Sequence, residues 1–396
     1  MRKKLLFIMN NLDCGGAEKA LVSLLETIDY DRYEVDLFLF KHHGLFFANL
    51  PKQVRLLEEP PEYAYFDMSL KQALTECLKR GKIGTVVSRA AFGYIFKTET
   101  NRAVCDQRVW PHISRAMKPV KKKYDAAIAY LEKNPIYYCV DKIDASVKIG
   151  FIHNDYDKLG MDAERDLPYF KQLDRIVTVS DQCAQVLKNR FPAQKNKIDV
   201  MYNIVSPAMI HQLAESDSDA KLMSKDRVNL VSVGRLVEQK GFDMAVEACK
   251  ELIRDGYPVT WYVIGEGENR AQLEEQIARH QLQDVFVLLG IRENPYPFLR
   301  QADVYVQPSR FEGKSIALDE AKILHKPIVV TNYSTVHDQI EHEKNGYIVD
   351  MNATALSEGI RKVVDDEALR NKLVRQLQSE KLGTEAEIDK LYEWVG

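Results

Sequence analysis

Short runs rich in Val, Ile and Leu recur along this chain, each followed by a stretch of helical length and spacing. An alternating strand exposes one face to water, whereas a run that is apolar at every position needs cover on both faces. That pattern belongs to a parallel sheet sandwiched between helices. The first series predicts strands at 5–9, 35–40, 126–131, 147–153, 176–180 and 198–202, with a helix over 17–28 and a less regular stretch from Tyr63 to Lys123. A second series predicts strands at 228–233, 259–264, 285–289, 304–307, 328–331 and 347–349, followed by helix to the end of the chain.

A single hydrophobic core stops growing at about 250 to 300 residues, and 396 residues exceed that. Between the two series the sequence turns polar, with Ser216-Asp217-Ser218-Asp219 inside the candidate linker 206–225. The expected division is a doubly wound N-terminal domain over 1–205, a doubly wound C-terminal domain over 206–375, and a helical segment over 376–396. The apolar ending Tyr392-Glu393-Trp394-Val395 suits packing back onto the first domain. Facing domains of this kind would bring the C-terminal ends of both sheets to a shared cleft.

The six cysteines stand singly, without the close spacing of disulfide frameworks or metal sites, which fits a reducing cytosol. Met1-Arg2-Lys3-Lys4 and the apolar run behind it resemble a signal peptide. Asn10, Asn11 and Asp13 interrupt that run, so a buried strand is expected instead. No stretch reaches the roughly 18 apolar residues of a membrane span.

The net charge of −3 conceals an uneven distribution. Residues 1–123 hold 21 Lys and Arg against 14 Asp and Glu, and the remainder is acidic. Lys79-Arg80-Gly81-Lys82 and Lys118 to Lys123 concentrate the positive charge. Two differently charged solvated domains explain this, and so does a basic face drawn to anionic lipid or a phosphate-linked acceptor. Without interleaved aromatics, the runs do not suggest nucleic acid.

Ligands of open parallel sheets bind in loops that follow strands, and three such loops suit an anion. Gly15-Gly16-Ala17-Glu18 lets the backbone approach a phosphate at a helix N-terminus; a plain turn fits the same residues. It is not the GxGxxG of nicotinamide-cofactor folds. Gly234-Arg235-Leu236 through Lys240-Gly241 offers a guanidinium fork and an ammonium for a diphosphate, though basic loop residues are also ordinary surface charges. Pro308 to Ala321 contains Gly313-Lys314-Ser315, but Pro308 stands where a P-loop needs glycine. A helix starting near Ser315 would leave Glu312 in the loop and Glu320 inside the helix, both able to accept hydrogen bonds from sugar hydroxyls.

Glu312, seven residues and Glu320 resemble the E-x7-E element of retaining glycosyltransferases of family 4, of the group 1, GT-B kind. The two glycine-containing loops resemble that family's other hallmarks. The resemblance implies an α/β GT-B fold of two Rossmann-like domains facing a cleft, and an enzyme moving a sugar with retention from a nucleoside-diphosphate donor, expected to be UDP-linked. It implies that Glu320 binds the ribose, Glu312 approaches the transferred sugar, and Arg235 and Lys240 neutralise the diphosphate. Gly15, Gly16, Gly234, Gly313, Lys314, Ser315 and Ile316 would complete the anion site. Gly290, Ile291 and Arg292 match where the family holds the base.

His153, at a strand end, resembles the family histidine facing the sugar; a structural role suits the same position. Glu132 and Asp155 fit acceptor positioning and equally fit helix caps or solvated loop charges. Lys314 departs from the pattern, where an aromatic residue often follows Glu-Gly, and suits an acidic sugar or a phosphate. The Asp-x-Asp strings at Asp29, Asp155 and Asp217 read as helix-start or linker acids, so no metal or cofactor is expected. The expected acceptor is a glycan or lipid-linked molecule of cell-envelope or exopolysaccharide synthesis. The expected location is the cytoplasm, at or near an anionic membrane face. A nucleotide-sugar epimerase of the same fold, or a nucleotide-sugar binding protein without catalysis, are the rival readings.

Overall fold

A computed structural model of the chain describes every residue except 1, 14, 216–222 and 225. Cys14 and Ser216-Asp217-Ser218-Asp219 therefore lie outside the described residues. The chain divides into two compact units. The first comprises Met1–Asp13, Ala17–Tyr202 and Glu387–Gly396, and the second Cys14–Gly16 and Asn203–Ala386.

The first unit is built on seven strands: β1 (Lys3–Met9), β2 (Tyr33–Leu39), β3 (Arg55–Leu56), β4 (Tyr124–Ala129), β5 (Ala145–Ile152), β6 (Arg175–Thr178) and β7 (Ile198–Val200). They lie in the order β3-β2-β1-β4-β5-β6-β7, with every pairing parallel. In β1, Leu5 to Met9 are fully buried, as a strand covered on both faces requires. Its helices are α1 (Gly16–Thr27), α2 (Ala64–Asp67), α3 (Leu70–Lys79), α4 (Ile83–Thr98), α5 (Arg102–Ala116), α6 (Asn134–Lys142), α7 (Ala163–Phe170) and α8 (Asp181–Arg190). The stretch expected to be irregular is thus largely helical: α2 to α5 fill the crossover from β3 to β4. Ser69 and Asn101 cap two of these helices with their side chains. The core gathers Leu6, Ile8, Phe38, Trp110, Tyr137 and Tyr138.

The second unit holds six strands, β8 (Val228–Val233), β9 (Val259–Ile264), β10 (Phe286–Gly290), β11 (Val304–Gln307), β12 (Ile328–Thr331) and β13 (Tyr347–Val349). Their order is β10-β9-β8-β11-β12-β13, again wholly parallel. Gly290 ends β10 and does not lie beyond it, because the register shifts there. The helices are α9 (Pro207–Ala214), α10 (Phe242–Arg254), α11 (Arg270–Arg279), α12 (Tyr296–Gln301), α13 (Ile316–Ile323), α14 (Ala353–Asp365) and α15 (Glu367–Ser379). The beginning of the expected linker is therefore helix α9, and α15 runs through position 376. The core centres on Trp261, whose indole donates to Ser232 Oγ at 2.9 Å while that hydroxyl donates to the Val306 carbonyl at 2.6 Å.

The last helix, α16 (Ile388–Val395), belongs to the first unit. Tyr392 stacks on Tyr33 with ring centroids 5.0 Å apart, and its hydroxyl accepts from the Asp29 backbone N–H. Leu391 is fully buried beside it.

Candidate functional site

In both sheets the strand order reverses beside the first strand, leaving a crevice at the C-terminal ends of β1 and β4 and another at those of β8 and β11. The loops after β8 and β11 carry the basic and acidic residues singled out from the sequence.

Two glycines let the loops after β8, β9 and β11 approach one another. Gly241 has φ +66, and a Cβ there would lie 2.0 Å from the Pro308 carbonyl oxygen. Gly265 has φ +150, and its Cβ would meet the Gly234 carbonyl oxygen at the same distance. Only glycine fits either place. Arg310 then ties the loops together. It grips Asp243 with both guanidinium nitrogens, at 2.8 and 2.6 Å, and donates to the Glu238 carbonyl. Backbone and side chain of Gln239 complete the link to Arg310 and Phe311. Burial pushes the Asp243 carboxyl up, but hydrogen bonds and charge from Arg310 outweigh this and hold it below the ordinary range.

So tethered, the loops bring Lys240 Nζ to 2.6 Å from Glu312 Oε1. Glu312 is only 6% exposed, and the same oxygen accepts from Ser309 Oγ at 2.6 Å. Thr335 Oγ1 fixes the Glu312 backbone carbonyl. Ser315 is the N-cap of α13: its hydroxyl accepts from the Leu318 N–H and donates to Gln307 Oε1. Gln339 accepts from the Ser315 N–H and donates to the Ser315 carbonyl. Glu320, 2% exposed, accepts from the Tyr296 hydroxyl at 2.9 Å. Tyr305 donates to Gln307; burial first, then the charges of Glu320 and Glu312, push its phenol well up. It stays a neutral donor.

The structure thus brings Lys240, Glu312 and, through Gln307, Ser315 into one connected polar group, with Gly234 against the Lys240 chain, and buries Glu320 in the following helix against Tyr296. Gly313 and Ile316 are buried, and Lys314 is half-buried at the mouth of α13. Arg235 stands apart: it is exposed, and among the described residues no carboxylate lies within ion-pair distance of it. Ile291 is exposed and Arg292 half-buried, its guanidinium donating to the Ile291 carbonyl. Gly290, with φ +73, borders the Glu266 carboxylate. Sequence reasoning missed Gln307, Ser309, Thr335, Tyr296, Gln339 and the Arg310–Asp243 clamp. Only Arg310, basic and beside Glu312, left a sequence signal.

Gly15 precedes α1 and Gly16 opens it. β4 and β5 end earlier than expected, so Glu132 and His153 sit just beyond them. Glu132 accepts from the His153 N–H at 3.1 Å and from the Asn154 amide at 3.3 Å. The His153 ring lies 4.9 Å from that of Tyr130, and burial drives its pKa down to about 4, against a smaller upward pull from Glu132. Its Nε2 is buried and makes no hydrogen bond among the described residues. Asp155 Oδ1 accepts from the Asp157 N–H, and Asp29 Oδ1 from the Asp31 N–H. Both acids therefore shape turns.

Residues 214–379 match the family model of glycosyl transferases, group 1. The group 1 match includes β8 to β13 and every residue of the Lys240–Glu312 group. Among curated relatives, an uncharacterised glycosyltransferase of Methanocaldococcus jannaschii is 28% identical over 170 residues, 42% of each chain. The amylovoran biosynthesis glycosyltransferase AmsK of Erwinia amylovora is 34% identical over 129 residues, 31% of this chain and 32% of that one. The capsular polysaccharide biosynthesis glycosyltransferase CapM of Staphylococcus aureus is 28% identical over 203 residues, 49% and 53%. The chain spans between 32% and 53% of the length of these relatives.

Among solved structures, Anabaena HepE in complex with UDP and glucose is 16% identical, with a TM-score of 0.69 over 99% of both chains. Sucrose-phosphate synthase of Thermosynechococcus elongatus is 14% identical, with a TM-score of 0.70 over 99% of this chain and 98% of that one. These likenesses show the fold: two Rossmann-like parallel-sheet units of GT-B type.

Proposed function

We propose that this chain is a glycosyltransferase that moves a sugar, with retention of configuration, from a UDP-linked donor to a glycan or lipid-linked acceptor of envelope or exopolysaccharide synthesis. The Lys240–Glu312 contact, at the reversal point of the second sheet and inside the group 1 segment, carries this reading. Relatives named for amylovoran and capsule synthesis support the acceptor class, and HepE bound to UDP supports the base.

When the glycosidic bond breaks, negative charge gathers on the leaving diphosphate and positive charge on the sugar. Arg235, the Lys240 ammonium and the Ile316 backbone N–H at the start of α13 meet the departing charge, lowering the barrier as preorganised donors do, while the Ser315 N–H stays with Gln339. Gly15 and Gly16 are assigned to the same anion. Glu320 takes the ribose, Gly290 to Arg292 the base, and Glu312 the sugar hydroxyls. A neutral His153 offers its free Nε2 to the sugar, while Glu132 and Asp155 are assigned to the acceptor. No metal or cofactor enters the scheme, so activity is expected to survive EDTA.

Thermal-shift screening against nucleotide sugars should show stabilisation, roughly 2.7 kcal/mol at 100 times the dissociation constant. Release of UDP should then require an added acceptor, and NMR of the product should show the donor's anomeric configuration. Rapid acceptor-free release would indicate an epimerase, and binding without turnover a silent binding protein. Stabilisation by no nucleotide sugar would end the proposal.

A further inference from the structure

The two basic runs of the first unit end differently in the fold. In the second, Lys122 is bound to Glu34 and to the buried Asp36, Lys123 pairs with Asp144, and Lys118 reaches Glu62. That run is largely neutralised. In the first, Lys82 lies 3.8 Å from Glu62, which it shares with Lys118, but Lys79 and Arg80 share the single carboxylate Glu76, at 3.8 and 3.7 Å, and both are exposed. From Ser69 to Arg102 there are seven Lys and Arg against two acids, in a chain of net charge −3. One of the seven, Arg89, is spent internally on the carbonyls of Tyr65 and Met68.

Between these charges α4 presents an uncovered apolar stripe. Ile83, Val87, Ala90 and Tyr94 follow one another at steps of three or four residues, on a single face of the helix. Ile83 is 69% exposed, Val87 59% and Tyr94 70%, with Leu78 at the end of α3 61% exposed. Six of the ten large exposed hydrophobics among the described residues fall within α3 and α4. Cations bracket the stripe: Lys79, Arg80 and Lys82 before it, Lys97 and Arg102 after it. Lys71 and Arg80 also line a 710 Å³ cavity against α2, which leaves room for a headgroup. No described helix is long and apolar enough to cross a membrane.

We propose that α3 and α4 form an interfacial docking surface for an anionic lipid bilayer, with α4 lying in the plane of the interface. The apolar stripe enters the acyl boundary, and the bracketing cations meet lipid phosphates. Apolar burial combined with charge attraction is what holds such helices at membranes, and an apolar face left to water otherwise invites association. The proposal stands on the first unit's surface and not on sugar transfer, so binding and activity can fail separately.

Flotation of the full chain with vesicles of phosphatidylcholine, alone or with about a third phosphatidylglycerol, tests it. Binding to the anionic vesicles only, weakening as salt rises, is expected. Val87→Glu with Tyr94→Glu should lower partitioning at least about tenfold. Lys79→Glu with Arg80→Glu should weaken binding and flatten its salt dependence. Both pairs should melt as the parent does, because the residues are exposed. Absence of vesicle binding, equal binding to neutral vesicles, unchanged binding of the variants, or a dimer by light scattering that Val87→Glu dissociates would each overturn it.

Discussion

Lys240 and Arg235 leave the same loop with opposite surroundings. Lys240 is held against a buried carboxylate, whereas Arg235 faces solvent. Both are assigned to the departing diphosphate, so either alanine substitution should lower kcat at least about tenfold, the low side of what losing one such donor costs. Stability separates them. Lys240→Ala strips a charge-assisted partner from Glu312 and should cost about 1 to 3 kcal/mol, while Arg235→Ala should leave urea denaturation unchanged. Equal loss of stability would show that Arg235 has a structural partner.

His153 gives a pH signature. Its folded pKa, about 4, lies below the ordinary 6.5, so the unfolded chain binds the extra proton between those values. The associated stability is complete above 6.5 and is lost as pH falls toward 4, by up to about 3 kcal/mol. In His153→Phe that part of the pH dependence of unfolding should vanish.

Among elements, the clamp between the β8 and β11 loops decides where the acids and bases meet. Arg310→Ala should raise donor KM more than it lowers kcat, because Arg310 positions Glu312 without being assigned to the donor. A double-mutant cycle with Asp243→Asn should give a coupling of about 1 kcal/mol, modest for a half-exposed pair. The coupling should weaken as pH falls through the depressed pKa of Asp243. Gly241→Ala, forced to φ +66 and against the Pro308 carbonyl, should be worse than either and lower the melting temperature clearly.

Element by element, legibility followed burial. Five strands of the second sheet were readable to the residue, because a strand covered on both faces is apolar throughout. Helices α2 to α5 were not. In α4 the apolar stripe of Ile83, Val87 and Tyr94 faces water while Ile95 is buried on another face, so apolar residues occupy two faces and the sequence does not show which one the core takes. The two-residue β3 was too short to register.

For the whole molecule, the last ten residues complete the first unit. α16 buries Ile388, Leu391 and Val395, stacks Tyr392 on Tyr33, and places Trp394 beside Arg175. Glu387 also accepts from the Tyr202 N–H. Removing 387–396 should destabilise the first unit by several kcal/mol, at about 1.5 to 3 kcal/mol per buried apolar side chain. Calorimetry should show that loss in the first unit's transition while the second unit's holds.

By itself the sequence determined the fold class, the two successive parallel sheets and the loops where charge accumulates, because these depend on patterns within a few residues. Tertiary structure decided which charges are available. The Lys118 to Lys123 run is largely neutralised by acids distant in sequence, and Lys240 finds Glu312 across 72 positions. Pairing and desolvation depend on neighbours that only the folded chain supplies, so a residue's charge is legible in sequence and its partner is not.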